Sequence, residues 1–160
     1  MAEINRKDFV LLLIRAGENP RFRDVDLSGL SLKGIDLHGA DLSLAEFYQT
    51  DLENSNLREA QLEHAVLIET NLQRADLSHA NLTGANLRLA HLNEANLTHA
   101  TLVNANLSGA NLSEAELLSA NLENADLTRA ILRDTRINPE QLDRVKSLQG
   151  AILPDGSYHA

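Results

Sequence analysis

Glu59, His79 and His99 stand twenty residues apart from one another along the chain. Brought together, two imidazoles and a carboxylate make a ligand set that could hold zinc. Few other residues offer chemistry. The chain has no cysteine, which excludes disulfides, iron–sulfur clusters, thiolate zinc sites and cysteine nucleophiles together. No nucleophile–base pair, buried titratable cluster or glycine-rich phosphate loop is evident. Gly29, Gly34 and Gly39 recur every five residues, a spacing that marks corners needing unusual backbone angles. Whether Glu59, His79 and His99 meet depends on the element that holds them.

That element is written in fives. From Leu27 to Leu132, 22 positions five apart hold 21 Leu and one Phe, Phe47. Two residues before each of them, positions 25 to 130 hold 16 Ala, the exceptions being the uncharged Val25, Leu30, Ile35, Thr50, Ser55 and Thr70. The residue between is mostly polar, as in Asp26, Asp41, Asn71 and Asn111. An α-helix turns about 100° per residue, so a step of five would wind the Leu row round the helix and leave no apolar face. In extended chain, residues two apart share a side. Ala and Leu then point inward, the Asp or Asn points out, and the remaining residues turn a corner. Stacked corners and short strands make a solenoid. The narrow interior accounts for a 160-residue chain with only 3% aromatic residues, because one large and one small side chain per side fill a tube that two large ones would overpack. The Asn-x-Ser/Thr sequons at Asn81, Asn96, Asn106 and Asn111 are by-products of the same repeat.

The run A-(D/N)-L-x-x resembles the pentapeptide-repeat family over about residues 20–137. The resemblance implies an all-β solenoid, a right-handed quadrilateral β-helix with four pentapeptides and twenty residues per coil. The 22 units then make five and a half coils, a rod roughly 26 Å long at about 4.8 Å per coil. On that fold His79 and His99 lie on adjacent coils with Glu59 one coil below, all at last-position, solvent-facing sites where the family tolerates any residue. They are read as surface, and no metal, cofactor or catalytic residue is expected.

Bare strand edges invite end-to-end association unless covered, and both flanks suit that task. In residues 1–19, Asn5 caps a helix expected to run through Ile14 or Arg15, with Gly17 as its stop and the apolar cluster Phe9 to Ile14 laid on the first coil. In residues 138–160, Asn138-Pro139-Glu140-Gln141 starts a helix expected to reach about Ser147, with Leu142, Val145 and Leu148 as its apolar stripe. Gly150 to Gly156 then reads as one more strand ended by a Pro-Asp-Gly turn. Pairing of C-terminal segments in some family members makes a homodimer the alternative to a capped monomer.

The acidity belongs to the repeat. Residues 24–133 hold 16 acids and 6 bases, and between Asp36 and Glu69 eight acids meet only Arg58. Direct nucleic-acid binding is therefore disfavoured by like charge, and none is expected. The inverse idea is that an acidic rod mimics a duplex, since some members of the family that the chain resembles bind the type II topoisomerase DNA gyrase in place of DNA. A 26 Å stretch of duplex carries roughly 15 charges. Here, however, acids alternate with neutral residues along twenty-residue columns such as Asp36-Asn56-Asp76-Asn96-Glu116. Gyrase-binding members also carry loop insertions and more central Phe, which this chain lacks. The outward positions instead offer a candidate protein-binding surface: Tyr48 and Ile68, twenty apart, with Val66 beside them and the acids Asp51, Glu53 and Glu63 around. The longest apolar run, Phe9 to Ile14, is too short for a membrane span of about 20 residues. The expectation is a cytoplasmic, non-catalytic binding or scaffolding module with a protein partner, its alternative an acidic DNA-mimic regulator of gyrase.

Overall fold

The computed structural model describes residues 5–17 and 20–160. The repeat forms a coil of twenty residues with four sides. Parallel bridges join residues twenty apart at every fifth position, from Arg21 and Asp41 to Glu116 and Arg136. One side therefore spans one pentapeptide. The first face carries units 20–24, 40–44, 60–64 and so on; the second starts at 25, the third at 30 and the fourth at 35. Each pairing is a single bridge, so the short strands expected from the spacing are reduced to one paired residue between consecutive corners. The ladder uses the residue that precedes each central Leu, whose N–H and C=O both bond to the coil below, as in Asn56 N–H to Ile35 O (2.9 Å) and Leu37 N–H to Asn56 O (2.7 Å).

Corners repeat with the same chemistry. The first residue of each unit donates to the preceding central carbonyl, as Ala40 does to Leu37 (3.1 Å), closing a four-residue turn. The third residue of that turn sits in the left-handed region, with φ near +60° at Glu59, His79, Leu89 and His99 and +67° at Gly34. Positive φ at that place is what such turns demand, and Gly or Asn satisfies it with least strain. Here the interlocking ladder holds many larger residues there.

A second device explains the Asp or Asn of the motif. The fourth residue of a unit has an N–H that the ladder does not use, and the side-chain oxygen two residues earlier takes it: Ser28 to Asp26 (2.9 Å), Arg58 to Asn56 (3.2 Å), Ser108 to Asn106 (3.0 Å). Asn side chains also donate to the coil below, as Asn56 does to Asp36 (2.8 Å) and Asn71 to Asp51 (2.9 Å). Short polar side chains that bond to nearby backbone suit this position as they suit turns generally.

Inside, the Leu and Ala rows are buried over their whole length, with Phe47 among them. Hydroxyls that replace Ala must find an acceptor. Thr50, Thr70 and Thr135 donate to the carbonyls of Leu27, Phe47 and Leu112 at 2.8, 2.6 and 2.9 Å. The Ser55 hydroxyl is buried with no partner. Ser55→Ala is therefore expected to stabilise the protein by about 1 kcal/mol, a rise of roughly 2–4 °C in the melting temperature, while Thr70→Ala is expected to destabilise it.

Helix α1, Arg6–Ala16, starts at Asn5, whose side chain accepts the Asp8 N–H at 3.0 Å, and ends at Gly17. Phe9 is fully buried and lies 4.9 Å from Phe22, centroid to centroid. Val10 and Leu13 pack on the core, but Leu11 and Leu12 face outward. Helical periodicity divides the expected apolar cluster between two faces, and the Ile14 side chain lies outside what the structure describes. Helix α2, Pro139–Leu142, is one turn long and does not reach Ser147. The ladder recaptures the chain: Lys146 N–H bonds to Ala125 O (2.8 Å), and Ser147 O accepts from Leu127 (2.9 Å). Ser147 and Ile152 pair with Asp126 and Ile131, offsets of 21 rather than 20 that absorb α2. Tyr158 then folds back antiparallel to Ile152.

Candidate interaction surface

The twenty-residue coil places His79 over Glu59 and His99 over His79. The two rings are stacked, with centroids 4.9 Å apart and planes 12° from parallel. Glu59 turns instead to Arg58, 3.2 Å away. Parallel rings present faces to one another, whereas coordination requires nitrogens to converge at about 2.0–2.1 Å from one ion. No group of three or more His, Asp or Glu among the described residues is placed to hold a metal.

Tyr48, Val66 and Ile68 share the second face. Gln49 N–H bonds to Ile68 O (3.1 Å), which sets Tyr48 and Ile68 on neighbouring coils, and Val66 bridges to Glu46 directly below it. Tyr48 is 44% exposed, while Val66 and Ile68 are half-buried. Leu44 and Leu89, at corners on either side of this face, are also exposed. The acids named with the trio lie round the corners, Glu63 on the first face and Asp51 and Glu53 on the third. Each is already engaged. Glu63 accepts from Asn81 (2.8 Å), Asp51 from Asn71, and Glu53 pairs with Lys33 (2.7 Å).

One feature of this surface escaped the reading of the sequence. Tyr48, Ile68, Val103 and Leu118 are the apolar fourth-position residues of the ladder, and each follows a residue other than Asp or Asn: Glu46, Val66, Thr101 and Glu116. The side-chain lock on the fourth N–H is missing at all four. At Tyr48 and Ile68 the two losses fall on adjacent coils, so neighbouring outward amides have no intramolecular acceptor beside two apolar side chains. The signal was present as an absence of Asp or Asn two residues ahead.

Elsewhere the acidic surface is tied down. Burial alone would raise the Asp41 carboxyl, but the Ser43 hydroxyl and amide, with Arg23, outweigh it and leave it below the usual range. The Ser157 hydroxyl lowers Asp155, Lys33 lowers Glu53 and Arg74 lowers Glu94. Groups whose pKa is depressed by folding contribute stability that is present above their unfolded value and lost as pH falls through the folded one. Thermal stability is expected to be flat above about pH 5 and to fall progressively below about pH 4, as measured by melting scans. Because hydroxyl and amide donors contribute alongside ions, 1 M salt is expected to remove only part of the effect.

A family model described as pentapeptide repeats (8 copies) matches residues 21–58, 55–93 and 90–134. Among solved structures, a pentapeptide repeat protein from the Arabidopsis thaliana thylakoid lumen is 31% identical, the match covering 68% of this chain and 72% of that one at a TM-score of 0.47. Rfr23, a pentapeptide repeat protein from the cyanobacterium Cyanothece 51142, is 30% identical over 76% of this chain and 93% of its own, with a TM-score of 0.38. A trypsin-treated variant of QnrB1, a plasmid-mediated fluoroquinolone resistance protein, is 19% identical over 84% and 82% of the two chains, with a TM-score of 0.52. At that identity the likeness is one of fold alone. No curated protein matches the sequence.

Proposed function

The chain belongs to the pentapeptide-repeat family, and from that premise we propose that it is a non-catalytic binding or scaffolding module that recognises a protein partner through its second face. The right-handed winding implied by the family belongs to the same reading, as does a division into an N-terminal cap (1–19), a repeat rod (20–137) and a C-terminal cap (138–160). The observation that carries the proposal is the juxtaposition of Tyr48, Val66 and Ile68 with two adjacent unpaired outward amides, on a rod whose other outward positions are mostly polar and locked. Apolar side chains beside free donors suit a partner that brings both apolar contact and backbone carbonyls. The acids Asp51, Glu53 and Glu63 form the polar rim, and Asp51 and Glu63, which have no cationic partner among the described residues, favour a partner with basic residues at its edge. No helix among the described residues is long and apolar enough to cross a membrane, and we place the module in the cytoplasm, as a monomer or homodimer, without direct contact to nucleic acid and without a cofactor.

The second reading is an acidic DNA-mimic regulator of gyrase. The 16 acids of residues 24–133 favour it in gross count. Against it stand the neutral residues between acids along each column and the neutralising pairs Lys33–Glu53, Arg74–Glu94 and Arg136–Glu116, which break up the continuous field that a duplex presents.

One experiment separates the two. The double variant Tyr48→Lys plus Ile68→Glu changes exposed and half-buried positions and is expected to fold as the parent does, judged by circular dichroism and melting. Affinity capture from native lysate is expected to lose at least one partner with that variant, and a supercoiling assay is expected to show neither inhibition nor protection of gyrase at about 10 μM protein, a concentration at which a specific interface would be saturated. Unchanged capture overturns the proposed surface, and gyrase inhibition overturns the choice between readings.

A further inference from the structure

The ladder has a gap at the C-terminal end. From Phe22 to Asp134, the central and last residues of each unit donate their N–H groups to the coil above, with two exceptions: Ser119 and Leu122. The excursion through α2 takes the chain away from the first face just where residues 138 and 141 would have supplied their carbonyls. The acceptor side of the same edge is satisfied by a substitute. Ala115 and Ala125 take backbone N–H groups from Arg136 (3.0 Å) and Lys146 (2.8 Å), but Ala120 takes the side-chain amide of Gln141 at 2.8 Å, and the same amide also bonds to Leu117 O at 2.7 Å. Gln141 is itself fixed by the Asn138 N–H on its other side-chain atom (2.9 Å). The edge is thus closed for acceptors and open for donors.

A groove of about 400 Å³ lies over this opening, lined by Ser119, Asn121, Leu122, Glu140, Gln141 and Arg144, among others. Leu122 is only 2% exposed, and a buried N–H without an acceptor is costly enough that native chains nearly always supply one. Arg144 holds its place through its own carbonyl, which accepts from Asn124 at 2.9 Å, and its guanidinium is in no ion pair among the described residues. In the coil below, the corresponding donors His99 and Leu102 bond to carbonyls three residues apart, those of Leu118 (3.2 Å) and Asn121 (2.7 Å).

We propose that this groove binds an extended, acidic peptide segment of a partner, which adds the missing rung. Two of its carbonyls, three residues apart, accept from Ser119 and Leu122, and a carboxylate pairs with Arg144. Main-chain pairing with an open edge supplies affinity and the charged contact supplies selection. The site lies at the end of the rod, away from Tyr48 and Ile68, so it stands or falls separately from the surface proposed above.

The test uses the full chain and the probe acetyl-Ser-Val-Glu-Val-Ser-amide. In the free protein, amide hydrogen exchange at Ser119 and Leu122 is expected to be at least about tenfold faster than at Leu117 and Asn124, whose donors are paired. On titration to about 5 mM, where a millimolar complex saturates, the two amides are expected to shift saturably and their exchange to slow. Replacing the probe's Glu by Gln, or Arg144 by Ala, is expected to weaken binding roughly tenfold, the scale of one charge-assisted contact, and the exposed Arg144 side chain can be removed without disturbing its carbonyl bond. Exchange at Ser119 and Leu122 as slow as at Leu117, absence of a saturable shift at either amide, or binding indifferent to both charge changes would each overturn the proposal.

Discussion

Leu77→Ala is expected to destabilise the protein by about 3 kcal/mol, within the range of about 2–5 kcal/mol for truncating a buried Leu. Leu77 is fully buried in the middle of the rod, in one column with Leu57 below and Leu97 above. The cavity cannot collapse easily. The backbone around it is fixed by ladder bonds on both sides, Leu77 N–H to Asn96 O (2.8 Å) and Leu57 N–H to Asp76 O (2.7 Å), so the walls are held apart and the lost contacts are not recovered. At about 2–4 °C per kcal/mol for a chain of this size, the melting temperature is expected to fall by roughly 10 °C. A drop of less than about 2 °C would show that the tube relaxes inward and that the ladder is softer than its hydrogen bonds imply. Leu77→Phe, which adds volume where one large and one small side chain already fill a side, is expected to cost about 1–3 kcal/mol.

Deleting the single residue Thr83 is expected to do far more harm than duplicating the twenty residues 80–99. Thr83 and Gly84 are the two corner residues between Leu82 and Ala85, and the Ala85 N–H closes that turn on Leu82 O at 3.0 Å. With one residue gone the turn cannot close. Every downstream residue would then meet its neighbour below one position out of phase, and because inward and outward side chains alternate, a slip of one exchanges them. The variant is expected to lose cooperative unfolding by circular dichroism and to expose apolar surface. A duplicated coil keeps every column in phase and is expected to fold, with the longest dimension in solution scattering increased by about 4.8 Å, one ladder step. The chain already shows the cost of a one-residue offset, since its step of 21 between Asp126 and Ser147 is reached only by leaving the ladder through α2.

The parts of this fold that repeat were readable from the residues. A five-residue step with Leu and Ala two apart admits one inward-facing geometry, and the twenty-residue column followed from the family resemblance. Less is legible where one event outweighs the local pattern. Asn138-Pro139-Glu140-Gln141 is a sound helix start, but its length was set by the distant edge at Ala125 and Leu127, which no window around residue 140 contains. The apolar run Phe9 to Ile14 looked like one cluster, yet a helix must show part of such a run to water. The proposed interaction surface was half legible. Tyr48, Val66 and Ile68 stood out as apolar residues in polar positions, but the free amides beneath them follow from a side-chain lock whose loss is visible only once the hydrogen bonds are drawn. The gap at Ser119 and Leu122 left no mark in the sequence, because both residues obey the repeat and the interruption lies twenty residues further on.

The twenty-residue spacing of the bridges from Arg21 to Arg136 also bears on how quickly the chain finds its fold. Most all-β proteins fold slowly because strands far apart in sequence must meet. Here the partner of each ladder residue is about one eighth of the chain length away, wherever in the rod it lies. A separation of that relative size is typical of mixed α/β domains rather than of sandwiches and barrels. Once two coils have closed, each further coil meets the same modest loop-closure entropy and can add at either end. The speed of assembly is then nearly independent of the rod's length, and a longer chain of the same repeat gains stability without waiting longer for its first contacts.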